Sequence, residues 1–359
     1  RDIAIYNGAI NKLYLSNNTV NDDEAQIYSA YGGDITSSVT CVILNNRTVY
    51  KHLNETVDVY LYFQDDNYNL INVNDFDLLV NNTKIGYVFN NRYHDFEGNF
   101  TSDKIGSYPV TIGDTYLSNL TIETAEINIV NVTDDFSTLQ KLIDNANGTL
   151  TLDKNYTYNP LTDEDFDEGI MINNDITIDG AGFTIDGIGK ARIFNVQSDN
   201  VTLTNITFIN AKSSSDGGAI FWDGDDGRII GCSFSNNQAS SGAAVNWSGD
   251  RGTGINCTFI NNTARYSSAI ESYGSYFRVS GSTFINNYGG WSGAAICSGG
   301  YNAQISDCIF TNNTADTTGG GAIHIYRCSD SVISNCIFEE NYAKDMGGAI
   351  YLVYVSNPE

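Results

Sequence analysis

The side chains able to do chemistry in this chain are few and scattered, and their spacing excludes more than it supports. A glycosidase needs two facing carboxylates roughly 5 to 9.5 Å apart. Glu271 is the only acid at its repeat position, whose other members are Phe221, Asn246, Cys297, His324 and Tyr351. A polysaccharide lyase needs a calcium-binding acidic cluster beside an Arg or Lys base, yet Arg228, Arg251, Arg265, Arg278, Arg327 and Lys344 read as occupying different repeat positions. His52, His94 and His324 lie far apart in the chain and predict no triad or metal cluster with a cysteine or serine. The cysteines lack the paired CxxC spacing of a zinc site. The acidic run Asp163 to Glu168 reads as a solvated loop. The alternative there is calcium near Asp163, Asp165 and Asp167, since hard cations want clustered oxygens, but the spacing matches no calcium loop. No catalytic residue and no cofactor is therefore expected.

Binding by surface aromatics is the better candidate. Trp291, Tyr266, Tyr288 and Tyr342 fall in variable loops where core packing does not require them, and aromatic faces suit sugar rings and protein hot spots. Local loop packing is the alternative. Trp222 and Trp247 share a repeat position and are expected in the core. Fifteen Asn-x-Ser/Thr sequons occur, and Asn81, Asn99, Asn119 and Asn131 are candidate glycosylation sites. Asn261 and Asn312 also begin sequons but are expected inside the repeat core.

The elements that position these residues are repeats. Phe208, Phe234, Phe259, Phe284, Phe310 and Phe338 recur at intervals of 26, 25, 25, 26 and 28. An amide follows two residues later, except for Glu340, and each repeat closes on Ala-Ile or Ala-Val, as at Ala219-Ile220 and Ala244-Val245. A period near 25 with β-formers and glycines predicts a parallel β-helix, in which each repeat buries its apolar side by stacking on the next. Strand alternation puts Cys232, Phe234 and Asn236 on one side of the strand. The expected internal ladder is thus Asn236, Asn261, Asn286 and Asn312, each amide paired with the next coil. Cys232, Cys257, Cys308 and Cys336 share one position, with Ser282 between, and read as stacked buried thiols; adjacent-coil disulfides are the alternative.

A net charge of -25 from 43 acids and 18 bases argues against nucleic acid or anionic lipid as a partner. No window approaches a membrane-spanning length of apolar residues. Seven cysteines leave at least one thiol unpaired within the chain. Residues 1–38 echo a β-helix coil through Leu15-Ser-Asn-Asn18 and Ala25-Gln-Ile27. Residues 39–132 alternate as about seven short strands, from Val39 to Leu44, Val57 to Phe63, Phe76 to Val80, Lys84 to Phe89, Tyr108 to Ile112, Leu117 to Glu123 and Ile127 to Val132. They predict an immunoglobulin-like β-sandwich, with the Tyr108 hydroxyl tying down a corner. Residues 133–148 hold one short amphipathic helix, capped by Asp134 or Asp135, expected to cover the open end of the β-helix of residues 149–359. The fold class is all-β.

Ile176-Thr-Ile-Asp-Gly180, Ala191-Arg-Ile-Phe194, Val201-Thr-Leu-Thr-Asn205-Ile-Thr-Phe208 and Gly217-Gly-Ala-Ile220, preceded by Leu139-Gln-Lys-Leu-Ile143, resemble the adhesin-like surface proteins of methanogenic archaea. The resemblance implies an extracellular or cell-wall protein in long tandem arrays, mediating attachment to host-cell or cell-wall carbohydrate or protein. It supplies no catalytic motif. A polysaccharide-binding or polysaccharide-degrading β-helix is the alternative. The coil-like pattern of residues 1–38 and the repeat still running at Ala349-Ile350-Tyr351 lead to a further expectation, that copies join head to tail as a filament.

Overall fold

The computed structural model describes residues 3–6, 27–30, 41–44, 48–64, 70–71, 76–90, 95–113, 121–122, 125–130, 134–317, 319–326 and 329–354. The chain divides into two compact units, Arg1–Asn131 and Val132–Glu359. No described helix is long and apolar enough to cross a membrane.

The second unit is a parallel β-solenoid. Three sheets of eight strands run along it, every strand pairing in parallel with its counterpart one coil away, and a fourth sheet of five short strands lies beside them. The first sheet runs from Thr149–Thr151 to Val332–Ser334, the second from Tyr156–Thr157 to Ile337–Glu339, and the third from Ile170–Ile172 to Ile350–Val353. The fourth begins at Gln238–Ala239 and ends at Tyr342–Ala343.

The register Phe208↔Phe234↔Phe259↔Phe284↔Phe310↔Phe338 stacks the predicted aromatics ring on ring. Centroids are 4.6 to 5.0 Å apart and planes within 10° of parallel. Trp222 and Trp247 stack likewise at 4.7 Å inside the core. Their indoles fit because Gly227 and Gly252 stand opposite: a Cβ there would lie 2.5 and 2.4 Å from the rings. One coil on, Ser272 replaces the tryptophan and Phe277 replaces the glycine, so core volume is conserved with the bulk moved across.

The internal amide ladder is one residue later than strand alternation predicts. Asn210, Asn236, Asn261, Asn286 and Asn312 adopt left-handed φ between 50° and 57°, and Asn236, Asn261, Asn286 and Asn312 are exposed or half-exposed at the corner. A left-handed residue breaks the two-residue period, so the following amide turns inward. Asn237, Asn262, Asn287 and Asn313 are buried, each donating Nδ2 to the Oδ1 of the next ladder member at 2.9 to 3.0 Å, ending on Asn341. Each Nδ2 also donates to a phenylalanine carbonyl one coil back, as Asn262 does to Phe234 at 3.1 Å. The ladder pairs buried polar groups that the turn would otherwise strand.

The cysteine column consists of free thiols, Cys232, Cys257 and Cys308 buried and Cys336 half-buried. Their sulfurs donate to backbone carbonyls, Cys257 to Ile255 at 3.3 Å, and Ser282 makes the equivalent bond to Ser280 at 3.0 Å. Burial pushes Cys232 up to about 12 and Cys257 up to about 11, holding both as thiols.

The helix spans Phe136–Asn145. Asp135 is the N-cap, accepting from Thr138 N at 2.8 Å. Phe136, Leu139 and Ile143 are buried in the solenoid core. Gln140 completes the cap: its Nε2 donates to Met171 O at 2.9 Å and its Oε1 accepts from Met171 N at 2.7 Å, so the first strand of the third sheet has no open edge there.

In the first unit, two sheets share one apolar core in a β-sandwich arrangement. Val57, Val59, Leu61, Phe63 and Phe96 of one face Leu78, Val80, Val110, Ile112, Ile127 and Ile129 of the other. Tyr108 does tie down a corner, its hydroxyl donating to Lys104 O at 2.8 Å and bonding Ser102 Oγ at 2.7 Å. The strands Ile3–Tyr6 and Ile27–Ala30 pair in parallel, Ile3 opposite Ile27. Leu15 to Asn18 and Ala25-Gln26 lie outside the described residues.

Candidate functional site

Two groups of residues on the solenoid are candidates for a functional role, a buried polar column and an exposed aromatic patch. The column is the outward face of the third sheet, where the register is Phe221↔Asn246↔Glu271↔Cys297↔His324↔Tyr351. Outward-facing residues are ordinarily exposed, yet Asn246, Glu271 and Cys297 are buried, because the serine-rich loops fold back over them. Ser292 Oγ donates to Cys297 Sγ at 3.6 Å from one such loop.

Glu271 accepts from Tyr273 OH at 2.9 Å and from Asn246 Nδ2 at 3.3 Å. Burial raises its carboxyl above the ordinary value, and the charge of Asp216 adds to the shift. Burial also raises the Tyr273 hydroxyl, which neighbours that carboxylate. His324 is pushed down to about 4 by burial, so its imidazole is neutral at pH 7. Its Nδ1 lies 3.9 Å from Cys297 Sγ, and its ring stacks on Tyr351 at 5.2 Å. This histidine and cysteine form a pair and not the triad or metal cluster whose absence the sequence predicts. The two are 27 residues apart but adjacent in register, because one coil is that long.

The aromatic patch lies on the loops beyond the fourth sheet. Tyr266 and Trp291 come from consecutive coils, Trp291 N donating to Tyr266 O at 2.7 Å, and their side chains are 44% and 65% exposed. The Arg265 guanidinium sits 5.0 Å from the Tyr266 ring. Tyr288 and Tyr342 are also exposed, but they stand two coils apart in the fourth sheet with Thr314 between them. The structure thus brings Tyr266 and Trp291 together and keeps Tyr342 separate.

A second exposed aromatic group was not anticipated. Tyr273, Tyr276 and Tyr301 emerge past the opposite edge of the third sheet, with Tyr276 N donating to Tyr301 O at 2.7 Å. The signal was present in the repeat. Tyr276 holds the left-handed corner that Asn200, Asp226, Arg251, Asn302 and Asp330 hold elsewhere, a place where a bulky ring is strained rather than favoured.

Asp163 is not solvated. It is fully buried, its Oδ2 accepting from Phe136 N at 3.0 Å and Asn159 N at 2.8 Å, and its Oδ1 accepting from Ser137 N at 3.1 Å. Both oxygens therefore serve the positive N-terminus of the helix, and they do not turn toward Asp165 or Asp167 as a calcium site requires. Asp167 accepts instead from the Tyr158 hydroxyl. Among the described residues no group of three or more His, Cys, Asp or Glu side chains is placed to hold a metal ion.

Arg228 and Arg278 do share a position, two coils apart in the first sheet with Thr253 between, contrary to the sequence reading. Arg251 is paired with Asp225 at 3.0 Å and Asp226 at 2.7 Å. Arg327, His94, Asn119 and Asn131 lie outside the described residues. Asn81 and Asn99 are exposed, as a glycan acceptor must be.

A family model for the right-handed β-helix region matches residues 168–357. That is more than half of the chain. The chain belongs to the right-handed β-helix family. No curated protein and no solved structure matches it.

Proposed function

We propose that this right-handed β-helix protein is a non-catalytic, adhesin-like module of a cell surface or cell wall, which holds a carbohydrate or protein partner against the loops beyond its fourth sheet. The supporting observation is the pair Tyr266 and Trp291, exposed on consecutive coils of a rigid solenoid. Aromatic faces carried by a rigid frame lose little conformational entropy on binding and are frequent hot spots. A polysaccharide chain laid along the solenoid axis would meet these two rings on adjacent coils, about 4.8 Å apart. The acidic surface disfavours nucleic acid and anionic lipid. Head-to-tail association belongs to the same reading, since the strand pair Ile3–Tyr6 and Ile27–Ala30 is parallel and in register like the strands of the solenoid.

The test is binding to arrayed cell-wall and host polysaccharides and to whole cells. Trp291→Ala and Tyr266→Ala should each weaken a captured partner about tenfold, corresponding to about 1.4 kcal/mol, with the fold unchanged by circular dichroism. Undiminished binding by the double variant would overturn the patch. New reducing ends or unsaturated products would favour the degrading alternative. Light scattering with and without residues 1–38 checks association: equal monomers refute assembly through that segment.

A further inference from the structure

We infer that four asparagines at the corners of the solenoid, Asn205, Asn256, Asn261 and Asn312, are N-glycosylation sites arranged in two rows. The inference rests on the surface location proposed above. Each begins an Asn-x-Thr sequon, with Thr207, Thr258, Thr263 and Thr314 as third residues. All four asparagines are exposed, and all adopt a left-handed φ of 52° to 54°. In that conformation the side chain leaves the coil at its corner while the next residue turns into the core. For Asn261 and Asn312 the buried amide ladder and the exposed acceptor therefore depend on the same turn.

The spacing is regular. Asn205 and Asn256 occupy one corner column, with Gly231 between them in the intervening coil; Asn261 and Asn312 occupy the other, with Asn286 between. Acceptors in one row thus stand two coils apart, about 9.6 Å, and the rows flank the outward face of the second sheet. The intervening coils lack the sequon in ways that suit this arrangement. A Cβ at Gly231 would lie 3.1 Å from Asn205 Oδ1, and one at Gly281, in the coil beyond Asn256, would lie 2.3 Å from Asn256 Oδ1. Glycine there leaves the acceptor amide room. In the other row, Tyr288 stands in register between Thr263 and Thr314, so Asn286 lacks the serine or threonine a sequon needs.

The chemistry fits the bonds already made. Transfer from a polyprenyl phosphate- or diphosphate-linked glycan forms a bond from the anomeric carbon to Nδ2 and breaks that carbon's bond to the phosphate oxygen. The polyprenyl phosphate or diphosphate leaves with the electron pair, and one amide proton goes to a base of the cell's glycosyltransferase. One N–H remains, enough to keep the bonds from Asn205 Nδ2 to Asp179 Oδ1 at 3.1 Å and from Asn312 Nδ2 to Asn286 Oδ1 at 2.7 Å. Asn246-Trp-Ser248 is the internal control. It satisfies the same sequence rule, but Asn246 is 1% exposed and donates to Glu271, so a glycan there is incompatible with the fold.

The test uses the protein isolated from the cells that make it. Glycopeptide mass spectrometry should find a glycan on each of the four asparagines and the Asn246 peptide at its sequence mass. Thr207→Val, Thr258→Val, Thr263→Val and Thr314→Val should each remove one glycan mass without changing the circular dichroism spectrum. Antibody labelling of intact cells is read in parallel. Labelled cells with all four peptides bare, or a glycan on Asn246, would overturn this inference and leave the surface reading standing. Unlabelled cells with bare peptides would overturn both, whereas glycopeptides from unlabelled cells would uphold the inference and overturn the surface reading.

Discussion

Asn261 and Asn262 are neighbours in the chain with opposite tasks, and substitution should separate them. Asn262→Gly removes the acceptor of Asn237 N and Nδ2 and the donor to Phe234 O, at about 1–3 kcal/mol for each buried group left unpaired. Asn261→Gly should be nearly neutral, because glycine tolerates the left-handed turn. Urea midpoints measure the contrast, and equal shifts would refute the inward ladder. The sequence shows both asparagines in four of the six repeats, so the column itself was legible. Which of the two points inward depends on a single backbone rotation that strict alternation does not contain. The same rotation moves Asn261 and Asn312 from the interior to the surface and makes their sequons accessible. Two buried titrating groups give opposite pH signs. His324 has a folded pKa of about 4, below its unfolded value of about 6.5, so its contribution is present above pH 6.5 and lost as pH falls toward 4. Glu271 is raised, so its contribution is present below the ordinary carboxylate range and lost as pH rises through its folded value. Stability against pH should therefore flatten on the acid side in His324→Phe and above the carboxylate range in Glu271→Gln.

At the scale of elements, the helix was legible because its apolar face and its N-cap are both local. Its N-terminal partner was not, since Asp163 lies 27 residues beyond Phe136 and belongs to a run that reads as solvated. Asp163→Ala should destabilise the solenoid by about 2–5 kcal/mol, leaving three backbone N–H groups without their acceptor. Thermal melts check this, and added calcium should not shift the wild-type midpoint. The sandwich shows the opposite limit. Thr48–His52 and Asp95–Phe100 are strands that the sequence reading passed over. Lys51 and His52 blur the alternation of the first, and Gly98 and Asn99 that of the second. Gly98 is needed where the chain passes Leu78, since a Cβ would approach its side chain to 2.9 Å. A constraint of that kind comes from the second sheet and is invisible along one strand. Lys84 to Phe89 was legible as one strand, and Gly86 divides it into Thr83–Ile85 and Tyr87–Asn90.

At the scale of the whole molecule, the two units have separate apolar cores that share no residue, and this shapes how the chain should unfold. The sandwich core is closed on itself and should melt as one cooperative unit. The solenoid core is a line of coils, each stabilised by its neighbours, so damage in the middle weakens the stacks on both sides of it. Phe259→Ala deletes a ring stacked at 4.9 Å on Phe234 and 4.6 Å on Phe284, at about 3–5 kcal/mol. Leu61→Ala, in the sandwich core, should cost about 2–5 kcal/mol. Calorimetry of the full chain should resolve two transitions, with Phe259→Ala lowering one and Leu61→Ala the other. A single transition displaced by both substitutions would mean that the two cores unfold as one cooperative body. The period of the phenylalanines revealed the solenoid because repetition multiplies a weak local pattern six times. The sandwich has no such repetition, so only its general strand pattern was legible, and its two-sheet core had to be seen in the structure.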